Sequence, residues 1–460
     1  MASQAGNYRE EVLKVEPKGI EPVLDSERHG RPFNIATLWW GANVEFATLA
    51  VGALAVILGL SFTQAIIAIV LANVAGAALL GLLSLFGVRL GVPQMIQSRK
   101  PFGYYGNVLP GLLNFIAGFA WFAVNTVLGV YALQWLTHMS FLIALAIMVV
   151  VQVILAIYGY NMIHAVERWM SIVLTVVFGI VTYYAITEAH YTLAFSAKTA
   201  GPGGASGAFI IMFSVVFSYL LGWMAFSSDY TRYLPKDTPN RTVWSHAFWS
   251  LLISCIWLEF IGLALATVKP IFVPTDLVTG LVPHGIAIIA MLAVMIGTIT
   301  ANVLNIYSGA LSAIVIHVPI KRWVSALVVG ILGAILAFVA GQGNFLDLFQ
   351  FFLFLLGYWI APWVAVVLVD YFFIQKGEYK TGIFYDAARG VRPGFWAWLV
   401  AVAVSFLFMN QYVSPTLNFA GPIARAVPQL GDITYYVSFI LAGVLYLWWG
   451  KREEGRELAS

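Results

Sequence analysis

The chain has 460 residues, of which 61% are hydrophobic and only 10% are charged. This composition excludes a soluble globular protein of that length and places the chain among integral membrane proteins. A net charge of +3 with scattered basic residues argues against nucleic-acid binding, and the single cysteine, Cys255, excludes a disulfide within the chain.

The N-terminal residues 1–32 are polar and mixed in charge, with no apolar stretch of the kind found in signal peptides. We therefore expect a cytoplasmic tail here and no cleaved leader. Residues 451–460 are also charged, and we expect a second, shorter cytoplasmic tail there.

Apolar runs predict twelve transmembrane helices, because roughly 20 apolar residues cross a bilayer. They lie near residues 33–60, 63–87, 107–136, 140–160, 169–188, 207–227, 244–268, 284–316, 323–341, 345–375, 395–413 and 433–450. With the N-terminus inside, every Lys and Arg except Lys198, Lys269 and Arg425 falls on the cytoplasmic side. This asymmetry predicts a multi-pass protein of the plasma (inner) membrane with both termini in the cytoplasm.

Span one carries polar groups at half membrane depth, where Asn43 and Glu45 follow Gly41. Such groups in a membrane usually face a cavity or a partner. A glycine-interrupted, polar span is typical of the broken helices of secondary transporters, whose freed backbone groups line a substrate or ion site. The alternative is a straight span in which a neutral Glu45 is hydrogen-bonded to a neighbouring helix.

The connection at residues 91–106 is too apolar for a plain loop and too short to cross the membrane, which indicates an interfacial helix with Tyr104 and Tyr105 at headgroup depth.

In span three, Trp121 and Asn125 are spaced i, i+4 and share one helical face. An indole beside an amide suits a flat heteroaromatic ligand, because the indole can stack on the ligand ring and the amide can hydrogen-bond to polar groups on its edge. Packing between helices is the alternative.

Glu167 lies at the predicted cytoplasmic start of span five. The helix dipole favours a carboxylate at that position, and this structural interpretation competes with a direct role in ion coupling.

Span six contains Gly222 and Trp223, which interrupt it much as Gly41 interrupts span one. Two interrupted spans separated by four others indicate two five-span halves of opposite orientation, residues 33–188 and 207–375. Substrate sites of such inverted repeats lie at the repeat interface near the midplane. Residues 395–450 then form two accessory helices.

Three further spans carry candidate site residues. Glu259 in span seven is either a proton relay or a neutral hydrogen-bonded acid. Thr298, Asn302 and Asn305 form one polar stripe on span eight, which lines a cavity or serves packing alone. Gln350 could reach the site from span ten.

Several stretches resemble the nucleobase:cation symporter-1 family, in its purine–cytosine permease branch. They are PQM and GYYG at 93–95 and 103–106, HAVERW at 164–169, SDYTRYLP at 228–235, NIYS at 305–308, GYWIAPW at 357–363 and VDYF at 369–372. The resemblance implies an all-α integral membrane fold of the five-plus-five inverted-repeat (LeuT-like) type with two accessory helices.

The resemblance also implies roles for individual residues. Trp121 and Trp223 resemble the two tryptophans that sandwich the ligand ring, and Asn125 resembles the amide that bonds it. On span eight either Asn302 or Asn305 is the ligand contact. The implied substrate site comprises Trp121, Asn125, Trp223, Glu45, Asn302, Asn305, Gly222 and Gln350.

For the coupling ion, the resemblance points to Gly41 and Val44 as carbonyl donors, with Thr298 and Glu259 as further candidates. Ile296 and Gly297 stand where sodium-coupled relatives carry hydroxyls. This difference favours a proton over sodium, and no cofactor or bound metal is implied.

We therefore expect a secondary active transporter that imports a small planar nitrogen heterocycle by proton or sodium symport with alternating access. The first candidate is a nucleobase such as cytosine or a purine, and the alternative is allantoin, hydantoin or a vitamin of the pyridoxine or thiamine kind. No span shows the charged rings of a channel, and the histidines fall near span ends rather than in a catalytic cluster. We expect a monomer and no enzymatic activity.

Overall fold

The computed structural model describes residues 14–278, 281–343, 345–379, 381–411 and 419–459. Within these ranges the regular structure is helical, apart from one isolated β-bridge between Asn410 and Ala420. The α-helices are α1 Pro32–Asn43, α2 Phe46–Ile57, α3 Phe62–Leu90, α4 Gln94–Gln97, α5 Arg99–Phe102, α6 Val108–Thr137, α7 Phe141–Tyr158, α8 Tyr160–Glu188, α9 Gly204–Met224, α10 Ser227–Thr231, α11 Asn240–Ala266, α12 His284–Val315, α13 Arg322–Gln342, α14 Phe345–Val369, α15 Pro393–Ser405, α16 Pro422–Ala426 and α17 Thr434–Ala459.

Nine of the described helices are long and apolar enough to cross a membrane. They are α3, α6, α7, α8, α9, α11, α12, α13 and α14, the last with its continuation to Ile374. A tenth span results if α1 and α2 are counted as one bent helix. The apolar segment Pro393–Phe408 is shorter, and α17 packs against α14 and α15. The chain is therefore an all-helical protein with several spans.

The predicted interruption of span one is confirmed. Helix α1 ends at Asn43, α2 begins at Phe46, and the two axes are bent by 54°. Val44 and Glu45 leave the helical region, with φ −82°, ψ 69° and φ −145°, ψ 172°. The break therefore releases backbone groups at half depth, one turn after Gly41.

The predicted interruption of span six at Gly222 is wrong by a few residues. Helix α9 runs unbroken through Gly222 and Trp223 and ends at Met224, after which α10 forms a separate turn and a half. Glycine is tolerated inside membrane helices because neighbouring helices support the backbone. Gly222 makes room for a neighbour instead, since a Cβ there would lie 3.0 Å from Nε1 of Trp121.

The segment at 91–106 forms two single turns, α4 and α5, rather than one interfacial helix. It is drawn inward by polar contacts with α10. The backbone N–H of Gln94 donates to Asp229 (2.8 Å), and its side-chain oxygen accepts from Ser227 (2.8 Å). Tyr104 is half-buried and stacks on His317 with ring centroids 4.3 Å apart, whereas Tyr105 remains exposed.

Two groups of helices share most of their contacts within themselves. We call α1, α2, α3, α9, α10 and α11 the bundle, and α6, α7, α12 and α13 the scaffold. Glycines let the backbones approach closely inside each group, as is common in membrane proteins. A Cβ on Gly118 of α6 would lie 2.8 Å from Gly309 of α12, and one on Gly262 of α11 would lie 1.8 Å from the Leu49 carbonyl of α2. The candidate site lies where bundle and scaffold meet.

Candidate functional site

The break between α1 and α2 places a carboxylate in the protein interior. Glu45 is the residue before α2 and is 1% exposed. Its Oε1 accepts a long hydrogen bond from the Tyr219 hydroxyl (3.5 Å), which is also 2.7 Å from Thr48. Its Oε2 has no hydrogen-bond partner among the described residues. One strong acceptor at the break is thus left for a ligand.

Asn43, on the other side of the break, connects the break to α9 by a hydrogen bond. Its Oδ1 accepts from the Trp223 indole (3.0 Å) and lies 3.5 Å from the Cys255 thiol. Its Nδ2 donates to the Trp39 carbonyl (2.8 Å), and the Trp39 and Trp223 rings meet edge to face at 5.6 Å. The orientation of Trp223 is therefore fixed by the break itself.

Trp121 approaches the same region from the scaffold. Its ring contacts Tyr219 and Phe352 edge to face, with centroids 5.5 and 5.1 Å apart. Its Nε1 faces Gly222, the residue before Trp223. Trp121 thus lies against the residue before Trp223, and the role of the two rings as walls of a ligand site stays a prediction.

The three candidate amides are all buried but differ in their partners. Asn302 donates to Thr126 (3.0 Å) and Gln152 (3.1 Å), and its Oδ1 accepts from Asn305 (3.2 Å). Asn302 is therefore occupied in joining α12 to α6 and α7. The side-chain oxygens of Asn305 and Asn125 have no hydrogen-bond partner in the described structure. These two amides, rather than Asn302, are free to bond a ligand.

The candidate cation ligands on span eight are placed differently from the prediction. The hydroxyl of Thr300, which the sequence did not single out, donates to the Gly41 carbonyl (3.4 Å) and to that of Gly297 (2.8 Å). Thr298 donates instead to Met295 within its own helix and faces α6, so the structure places it away from the break.

The other carbonyl donor, Val44, lies at the break against α12. A Cβ on Gly297 would lie 3.5 Å from the Val44 carbonyl oxygen and 3.1 Å from Cβ of Glu45. The missing side chain at Gly297 therefore allows the break to approach α12 closely.

Two predicted residues lie at the margin. Glu259 accepts from Asn73 of α3 (2.5 Å) and lies against Gly52 of α2, seven residues or about 10 Å beyond Glu45. Glu259 therefore does not contact the break directly, and a role for it in ion coupling stays a prediction. Gln350 is buried on α14 and follows Phe349, whose ring is 6.4 Å from that of Trp121.

Two residues of the site, Tyr219 and Thr300, were missed as candidates, and Asn43 was noted as a polar group of span one but given no role. Tyr219 precedes Trp223 by four residues, the same spacing that linked Trp121 to Asn125, so a signal existed for it. Together the site offers aromatic walls and unpaired oxygen acceptors, an arrangement that binds a flat ring bearing N–H groups.

The N-terminal segment, residues 14–31, contacts both groups of helices at one end of the molecule. Glu16 accepts hydrogen bonds from Tyr307 (3.0 Å), Arg232 (3.3 Å), Tyr233 and the backbone of Tyr160 (2.9 Å). These partners belong to both the bundle side and the scaffold side, so the segment holds the two groups together.

Comparisons with known proteins agree with this geometry. A model of the family described as permeases for cytosine/purines, uracil, thiamine and allantoin matches residues 22–438. YxlA of Bacillus subtilis, named as a candidate purine–cytosine permease, is 30% identical over 94% of this chain and 95% of its own. The purine–cytosine permease FCY2 of Saccharomyces cerevisiae is 26% identical over 79% of this chain and 72% of its own. The vitamin B6 transporter TPN1 of the same yeast is 23% identical over 78% and 66%.

Among solved structures, the chain is similar to the nucleobase–cation-symport-1 transporter Mhp1. The closed conformation with bound bromovinylhydantoin gives a TM-score of 0.79 at 19% identity, covering 96% of each chain. The inward-facing conformation gives 0.71 at 19% identity, covering 97% of this chain and 95% of that one. At this identity the likeness concerns the fold alone.

Proposed function

The chain belongs to the family of membrane permeases for cytosine, purines, uracil, thiamine and allantoin, and from that premise we propose that it imports a nucleobase, such as cytosine or a purine, by cation symport. The protein acts by alternating access rather than as an enzyme. The bundle moves against the scaffold, and the ligand and the coupled ion each favour the closed state over the outward-open one. Coupling is then the difference in their affinities for these states.

One observation carries the substrate class. Beside the indoles of Trp121 and Trp223, the oxygens Oε2 of Glu45 and Oδ1 of Asn125 and Asn305 have no partner among the described residues. Buried acceptors without donors are costly, so the natural ligand presents N–H or amino groups to them. Cytosine, adenine and hypoxanthine have such donors on a flat ring.

The finer features of the protein follow the same proposal. The chain forms twelve spans, with residues 33–188 and 207–375 as inverted repeats and residues 395–450 as accessory helices. It works as a monomer in the plasma membrane with both termini in the cytoplasm, and a proton or sodium ion drives it. Gly41 and Val44 supply carbonyl groups near that ion, and the hydroxyl of Thr300 replaces that of Thr298 in this role.

A related heterocycle is the second candidate substrate. A yeast relative is named as a vitamin B6 transporter, and Mhp1 was solved with a hydantoin. Pyridoxine, thiamine, allantoin and hydantoin are also planar rings with polar edges, and only direct competition separates them from the nucleobases.

The proposal is tested by uptake of radiolabelled cytosine, adenine and hypoxanthine into proteoliposomes, with pyridoxine, thiamine, allantoin and hydantoin as competitors. We expect saturable uptake of at least one nucleobase that responds to an imposed ion gradient. Stacking of a base on an aromatic ring is worth about 1–3 kcal/mol, so Trp121→Ala should weaken binding about 5- to 150-fold.

The matched control is Trp396→Ala, because Trp396 on α15 is 52% exposed and lies outside the site. Its uptake should equal that of the wild type. Unsaturable, gradient-independent flux would indicate a channel, and equal affinity in Trp121→Ala would move the substrate site elsewhere.

A further inference from the structure

Glu167 is a buried carboxylate that the substrate site does not use. It lies on α8, is 0% exposed, and neither of its side-chain oxygens has a hydrogen-bond partner in the described ranges. A Cβ placed on Gly41 would lie only 2.0 Å from Oε2 of Glu167. The carboxylate therefore contacts α1 at Gly41, one turn before the break, where the absence of a side chain leaves room for it.

The helix dipole does not account for this position. Helix α8 begins at Tyr160, so Glu167 lies two turns inside the helix rather than at its N-terminus. The favourable effect of the dipole on an acidic residue falls off within the first turn. The N-terminal interpretation of Glu167 is therefore wrong for this helix.

The groups that face Glu167 do not neutralise it. Among the described residues, the ionisable side chains whose charges interact with it are Glu45 from the break and Tyr230 from α10, and both are acids. On its own helix Arg168 is exposed on another face, and the His164 ring packs edge to face against Tyr160. A buried carboxylate without a basic partner is stable only when a proton or another cation balances its charge.

We propose that Glu167, with the Gly41 carbonyl and the Thr300 hydroxyl, forms the site that takes up the coupled cation. This inference rests on the proposed symport function. It assigns to Glu167, on span five, the negative charge that balances the charge of the ion. The donors are three oxygens of different chemistry, which suit a monovalent cation, either sodium or a proton. Both Gly41 and Thr300 belong to elements that meet at the break, and α8 packs against both.

The position explains how the ion and the substrate are coupled. Glu45 binds the ligand on one side of the break and Glu167 faces Gly41 on the other, so the two carboxylates repel each other when both are ionised. Cation uptake at Glu167 removes that repulsion. Ionised Glu45 can then accept a hydrogen bond from the ligand, because no second uncompensated negative charge lies nearby. Each binding event therefore favours the other.

The test compares the wild type with Glu167→Gln in proteoliposomes, using labelled nucleobase. Accumulation is measured under an inward sodium gradient at equal pH and under an inward proton gradient in sodium-free buffer. Exchange of labelled for unlabelled nucleobase is measured without any gradient. We expect the wild type to accumulate under one gradient, which identifies the ion, and Glu167→Gln to accumulate under neither while it still exchanges.

Glu188→Gln is the matched control, since Glu188 is exposed at the outer end of the same helix. It should behave as the wild type, and Glu167→Asp should keep coupling at a higher cation concentration. Accumulation by Glu167→Gln at the wild-type level would overturn the proposal and make Glu167 a neutral structural acid. Loss of exchange with an unchanged ligand-induced thermal shift would also overturn it, because Glu167 would then act in the conformational cycle. A wild type that neither exchanges nor accumulates would instead refute the proposed function.

Discussion

The two amides on α12 lie one turn apart but make different kinds of contact. Asn302 bonds Thr126 and Gln152 on two scaffold helices, while the Nδ2 of Asn305 donates to Asn302. The first amide holds helices together, and the second keeps an oxygen that has no partner among the described residues. Their substitution should therefore affect different properties.

We predict that Asn302→Ala lowers the free energy of unfolding by about 1–3 kcal/mol, because it removes the buried hydrogen bonds to Thr126 and Gln152, which then keep only the bond between themselves. Asn305→Ala removes the single bond to Asn302, so it should cost less stability in detergent and should weaken the ligand-induced thermal shift. Scanning fluorimetry with and without nucleobase measures both. A stability loss in Asn305→Ala equal to that in Asn302→Ala would contradict the division of roles.

The sequence predicted the aromatic and amide residues better than the cation ligands, for a physical reason. Trp121 and Asn125 share a face through the fixed i, i+4 geometry of one helix. The choice between Thr298 and Thr300 depends on how α12 is rotated about its axis relative to α1, and a single polar stripe does not fix that rotation. Only the packed structure shows that Thr300 faces Gly41.

Close backbone contact between α2 and α11 holds the outer half of the bundle together. A Cβ on Gly52 would lie 1.9 Å from the Glu259 carbonyl, and one on Gly262 would lie 1.8 Å from that of Leu49. Because each glycine meets backbone rather than a movable side chain, the two helices must separate to accept any larger residue.

We predict that Gly262→Ala destabilises the protein by about 1–3 kcal/mol, the usual cost of overpacking. Thermal unfolding in detergent measures this change. Gly179→Ala is the control, because a Cβ at Gly179 on α8 would meet nothing within 4 Å. That variant should be neutral or slightly more stable, since alanine favours a helix over glycine by about 1 kcal/mol. Equal stability of both variants would show that α2 and α11 can separate at no cost.

A helix break was predictable from the sequence only where polar residues lie close to the glycine. In span one, Gly41 is followed by Asn43 and Glu45, and the break lies at residues 44–45. In span six, Gly222 has apolar neighbours, and its role in admitting Trp121 depends on a contact with α6 that local sequence does not encode. The helix consequently continues to Met224.

The connection after α12 brings a histidine, His317, into contact with an arginine. His317 has φ 67° and stacks on Tyr104, and its Nε2 lies 3.2 Å from the Arg99 guanidinium. Burial and the nearby Arg99 charge lower the pKa of His317 below its usual value. The unfolded chain thus binds a proton more readily, so this contribution to stability is present at higher pH and is lost as the pH falls through about 6.5.

We predict that the melting temperature of the wild type decreases between about pH 7 and 5 more than that of His317→Asn. Asparagine is the matched replacement, because it tolerates the left-handed backbone conformation that His317 adopts. Parallel slopes for the two proteins over this pH range would exclude the contact with Arg99 as the cause.

At the scale of the whole molecule, the positions of the long helices were the most predictable feature. The apolar runs depend only on composition along the chain, and the long helices of the structure follow those runs. The orientation that the Lys and Arg distribution indicates stays a prediction. The arrangement of the bundle relative to the scaffold was not predictable from the sequence, because it depends on contacts between residues far apart in the chain. The contacts of residues 14–31 with both groups, which close the structure at one end, are of this kind.

Glu16 is the centre of that closure, since it bonds Arg232 after α10 and Tyr307 on α12. Arg232 is fully buried and also donates to the Gly19 carbonyl (2.8 Å), so removing its carboxylate partner should weaken the closed state by up to about 3 kcal/mol. We predict that Glu16→Ala increases amide hydrogen exchange at residues 158–160 and 232–234. The control is Glu27→Ala, because the described contacts of the Glu27 side chain, with Lys18 and the Leu24 backbone, lie within the same segment. Since both variants shorten a glutamate of this segment, faster exchange in Glu16→Ala alone would mean that the segment holds the bundle and scaffold together through this carboxylate. Equal exchange in both would mean that other contacts hold them together.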